Sequence, residues 1–146
     1  MKTFMFLALI LCSSVAFAAP IESTTATSLT FDQGGNLGVL KADCAWVKQP
    51  STSSEAELQI QWTTGPNNSP IDPAGSFDVT TNMPSMPTMN NSPTQLERVV
   101  DTQGNVVPGA YLVRNIWFTM GGQWDVVLTL VRPDGTQEAQ EILLDL

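Results

Sequence analysis

Apolar and polar residues alternate with a period of two through most of this chain, a period that admits half-buried strands and leaves no amphipathic helix of useful length. Leu40, Ala42, Cys44 and Trp46 alternate with Lys41, Asp43 and Ala45. Ala56, Leu58, Ile60 and Trp62 alternate with Glu55, Glu57, Gln59 and Gln61, and Trp124, Val126, Leu128 and Leu130 with Asp125, Val127 and Thr129. Shorter strands are expected at 28–32, 76–81, 95–101 and 137–145. A long strand is expected over 110–120, with Arg114 and Asn115 interrupting both faces so that its register stays open. Asp101-Thr102-Gln103-Gly104-Asn105 and Pro133-Asp134-Gly135 read as turns, and Gly121-Gly122 as a tight hairpin needing positive φ. About seven strands of this kind predict an all-β, immunoglobulin-like β-sandwich. Tyr111, in Pro108-Gly109-Ala110-Tyr111, reads as a tyrosine corner.

The first residues predict export. Lys2 gives a positive start, an apolar run follows over 4–11, and Ala16-Phe17-Ala18 supplies the small residues of a peptidase site. Residues 1–18 are therefore expected to be a signal peptide, 19–27 a flexible lead-in and 28–146 one β-sandwich domain. Its expected location is the periplasm or the extracellular space. The apolar run is too short to span a bilayer as a mature helix, and no second one follows, so no stable membrane insertion is expected. Losing Lys2 takes the formal charge from −8 to −9, which argues against nucleic acid or an anionic membrane surface as partner. Cys44 is the only cysteine beyond residue 18, so no internal disulfide is expected. It falls on the apolar face of its strand, where a thiol is inert.

Catalysis has few candidate groups. There is no histidine, hence no usual general base and no partner for a serine or cysteine nucleophile. The carboxylates are scattered on outward strand positions, and neither Gly34-Gly35 nor Gly121-Gly122 has the strand–loop–helix context of a phosphate loop. The chain is not expected to be an enzyme.

One segment stands apart. Met83-Pro84-Ser85-Met86-Pro87-Thr88-Met89 holds three of the four methionines that follow the signal region. Thioethers are soft, neutral ligands that select Cu(I), and they are also adaptable packing groups. Alternating prolines favour polyproline II, which would set these methionines on one face with Cα atoms roughly 9 Å apart. The functional reading is a shallow Cu(I) site from Met83, Met86 and Met89, completed by Met120 and covered by the π face of Trp124. The structural reading is a strip that caps one end of the sandwich, its sulfurs packed on Trp62 or Trp117.

Phe77-Asp78-Val79, Met83-Pro84-Ser85-Met86, Gly109-Ala110-Tyr111 and Phe118-Thr119-Met120-Gly121-Gly122-Gln123-Trp124-Asp125 occur in an order that resembles the YtkA-like and FixH-like domains. These are small exported or membrane-tethered immunoglobulin-like sandwiches, and the resemblance spans roughly residues 55–146. It implies that fold and an association with copper handling and oxidase assembly. The chain departs from that pattern in having no histidine beside the Met-Pro element. The expected function is an exported binding module that binds or transfers Cu(I), with a copper-handling or envelope protein as partner. The alternative is a metal-independent interaction domain of the cell envelope that uses the Met-Pro strip.

Overall fold

Among the described residues, the chain forms nine strands in two antiparallel sheets. In the larger, β1 (Thr27–Asp32), β2 (Val39–Lys48), β3 (Ala56–Thr64), β7 (Val106–Ile116) and β6 (Gln95–Val100) lie side by side in that order. The two-residue β4 (Ser69–Pro70) pairs with Thr63 and Thr64, where β7 has already left β3. In the smaller sheet β8 (Gln123–Val131) runs between β5 (Ser76–Asn82) and β9 (Gln137–Asp145). The computed structural model describes residues 26–33, 38–88 and 92–146. The expected signal peptide, most of the lead-in, and Met89 lie outside the described residues.

The three alternations seen in the sequence point their apolar sets inward. Leu40, Ala42, Cys44, Trp46, Leu58, Ile60, Trp62, Trp124, Val126, Leu128 and Leu130 share one buried cluster with residues of both sheets. Rings cross between the sheets. Trp62 on β3 meets Phe77 on β5 at 5.2 Å, and Phe77 meets Tyr111 on β7 edge-on at 4.8 Å. Edge-to-face contacts of this kind contribute beyond the area they bury. The two sheets around one core are consistent with a β-sandwich. β1 is also tied to the far sheet: the Asp32 amide donates to Glu138, and Arg132 bonds both the Asp32 carbonyl and Glu138.

Three expectations are corrected. The long strand runs over 106–116 rather than 110–120, and its register shifts against β3 between Ala56 and Leu58. Val113 and Ile116 are both buried although three residues apart, because Asn115 takes the left-handed conformation (φ 60°). Asn115 is held there by its amide to Glu55, its side-chain amide to Pro93, and the Trp117 indole. Alternation could not fix this register because a bulge breaks it.

Gly121-Gly122 is not a hairpin either. β7 and β8 belong to different sheets, so residues 117–122 cross between them. Phe118 anchors the crossing, buried edge-on against Trp124 at 5.3 Å and against Trp46 at 6.4 Å. Tyr111, finally, makes no tyrosine corner. Its hydroxyl engages the Asp72 and Arg98 side chains instead of upstream backbone.

Candidate methionine site

β5 delivers the methionine segment. It pairs with β8 as far as Asn82↔Asp125, and Met83 follows at once. There the chain turns: the Met86 amide donates to the Met83 carbonyl at 2.8 Å. Pro84 occupies the first central position of that turn, where its fixed φ is preformed. The segment therefore bends at its start and does not run on as an extended polyproline strip.

The bend separates the methionines by environment. Met83 is buried (6% exposed) and belongs to the core cluster. Its terminal methyl lies 2.9 Å from where a Cβ on Gly122 would stand. Gly122 has φ 130° besides, a conformation that favours glycine. Met86, one turn on, is 44% exposed, and Met120, at the end of the crossing segment, is 37% exposed. The structure thus brings the Met83–Met86 turn against the 120–122 segment. Met89 lies outside the described residues.

Trp124 is placed inside. It is fully buried, stacked edge-on by Phe118, and its indole N–H donates to the Met120 carbonyl at 3.0 Å. That bond fixes the backbone that carries the Met120 side chain. Trp62 belongs to the other end of the core with Phe31 and Phe77, while Trp117 is 44% exposed with its indole on Asn115.

No lysine or arginine occurs in residues 82–88 or 117–125, and Asp125 sits beside the turn through its pairing with Asn82. No group of three histidine, cysteine or carboxylate side chains able to hold a metal occurs among the described residues. Cys44 is buried and free, its thiol pushed up to about 12 by burial and then by the charge of Asp43. Thiolate chemistry has no foothold at that value.

At the opposite end of the core the sequence reading missed a polar latch. Asp72 accepts from Gly109 N–H (2.8 Å), Arg98 (2.8 Å) and the Tyr111 hydroxyl (3.3 Å), and Arg98 lies over the Tyr111 ring at 4.7 Å. Burial raises the Asp72 carboxyl, but the bonds from Arg98, Gly109 and Tyr111, with the guanidinium charge, bring it below its ordinary value. These residues stand far apart in sequence, so only the strand order could have revealed them. Comparison with protein-family models, curated proteins and solved structures finds no match for this chain.

Proposed function

We propose that this chain is an exported, immunoglobulin-like β-sandwich module that binds or transfers Cu(I) at its methionine end, in the manner the YtkA-like and FixH-like resemblance implies. It carries no catalytic step. The strand order supports the immunoglobulin-like reading. Leaving aside β1 and β4, the sheets run β2-β3-β7-β6 and β5-β8-β9, the A-B-E-D and C-F-G order of constant-type domains.

The observation that carries the copper reading is the seating of the Met83 methyl against Gly122, which sets a methionine turn against the crossing segment that carries Met120. Met86 and Met120 are the solvent-reachable sulfurs on either side of that contact, and Met83 would offer its sulfur from the wall. Neutral thioethers stabilise a soft monovalent ion without the charge that Zn(II) takes from thiolate, imidazole or carboxylate. Trp124 contributes by fixing the Met120 backbone, since its ring is enclosed.

The test is Cu(I) uptake by the mature chain under reducing conditions, in competition with a chromophoric chelator and with Zn(II) and Cu(II) as comparisons. Cu(I) alone should be retained, and retention should persist at mildly acidic pH because thioethers do not titrate. Retention unchanged after Met83, Met86 and Met89 are all replaced by leucine overturns the reading.

A second reading has its own support. Met86, Trp117 and Met120 are large, apolar and exposed, as a docking surface of a metal-independent envelope module would need. Leucine at the methionine positions preserves such docking and removes sulfur chemistry, so the same variants separate the two readings.

A further inference from the structure

The outward faces of the two sheets differ in how their charges are answered. On the larger sheet Lys41 pairs with Asp43, Lys48 with Glu57, and Arg114 with Glu97 at 3.3 Å and Glu57 at 4.0 Å. Its cations and carboxylates balance within the face. The remaining described cations, Arg98 and Arg132, are held by Asp72 and Glu138 away from the smaller sheet's outward face.

β5, β8 and β9 contain no lysine or arginine. Their register sets the outward residues in rows: Asp78–Thr129–Ala139, Thr80–Val127–Glu141 and Asn82–Asp125–Leu143. Val131 extends the aliphatic part at one end, and Asp145, opposite Gln123, adds a carboxylate at the other. Leu143 is 64% exposed, the most exposed large apolar side chain among the described residues. The face sets Val127 diagonally beside Leu143, with Val131 beyond Thr129, among carboxylates and with no lysine or arginine from its own strands.

We propose that this face docks a basic protein surface, one that presents lysine or arginine around an aliphatic centre. Charge complementarity selects that occupant. A second copy would set Asp78, Asp125 and Glu141 against their own like charges, and nucleic acid or an anionic bilayer is repelled by the same field. A face made only for solvation would not need Leu143 and Val127 between its carboxylates. The inference does not depend on the copper reading and uses none of its sulfurs, although Asp125 borders the methionine turn through its pairing with Asn82.

The probe is a cyclised β-hairpin peptide with lysine and valine alternating on one face, titrated into the mature chain and followed by backbone amide NMR. Shifts should concentrate in β5, β8 and β9, and affinity should fall as salt rises. The combined D78N/D125N/E141Q variant should lose about tenfold or more in affinity, as unanswered charge at an interface usually costs. Leu143→Thr should weaken binding severalfold with the charges intact, and it keeps the test usable should the triple variant fold poorly. D43N/E97Q, on the other sheet, should bind as wild type does. Absence of saturable binding, shifts on the larger sheet, or equal losses in the D43N/E97Q variant overturn the proposal.

Discussion

The two ends of the core are closed by opposite chemistry. At the Phe77 end of β5, Asp72, Arg98, Tyr111 and the Gly109 amide form a latch in which each polar group answers another. At the Met83 end the closure is thioether and ring: Met83 on Gly122, Phe118 on Trp124, with the indole N–H answered by the Met120 carbonyl. A hydrogen-bonded latch is directional and leaves its groups engaged. A thioether closure makes no polar demand, so its outer members, Met86 and Met120, keep their sulfur lone pairs. That difference is why a ligand is proposed at one end and a structural role at the other.

Four measurements would break or sharpen this contrast. Gly109→Val at the latched end should have the largest effect. A Cβ there would lie 2.5 Å from the Trp62 carbonyl and 2.7 Å from that of Ile71, at φ 69°. We expect a loss of about 3 kcal/mol or more in denaturant unfolding; a neutral result would mean the latch is not rigid.

At the methionine end, Met83→Ala should cost about 2–5 kcal/mol as a core cavity, and Met86→Ala less than about 0.5 kcal/mol as a surface change. Equal costs would erase the division between wall and surface sulfurs.

Cys44, within the core, should show in the pH dependence. The unfolded chain releases the thiol proton from about pH 8.5 upward, while the folded chain holds it to about 12. Deprotonation therefore favours unfolding, and stability should fall above pH 8.5 by about 1.4 kcal/mol per pH unit until the folded thiol titrates. Cys44→Ala should lack that component in alkaline unfolding curves.

The smallest effect belongs to Asp72, whose carboxyl lies below its ordinary value. Its contribution is present above the unfolded carboxylate range and is lost as pH falls through the folded value. Asp72→Asn should flatten the acid limb of the stability curve slightly, since the group is largely solvated. An unchanged acid limb would mean that the latch carries no net charge interaction.

The alternation from Leu40 to Trp46 predicted both the strand and the burial of Cys44, because a two-residue period maps directly onto two faces. The same logic failed over 110–120, where the bulge at Asn115 shifts the period. It failed again at Gly121-Gly122, where adjacency in sequence does not say whether two strands share a sheet. The methionine segment was visible as composition, and Met120 was drawn to it from sequence. The burial of Met83 was not legible, since it depends on how the core closes around the end of β5. Nor was the acidic face: Asp78, Asp125 and Glu141 each looked like a solvated outward position until the β5-β8-β9 order set them in adjacent rows.

Cu(I) binding by Met86→Leu, Met120→Leu and the double variant, measured by chelator competition under reducing conditions beside wild type and Met83→Leu, tests the central claim most directly. Both exposed sulfurs should be required: each single variant should weaken binding, the double variant should lose it, and the fold should persist by circular dichroism. A double variant that is folded and holds Cu(I) as tightly as wild type would contradict the account and leave the methionine end a packed closure.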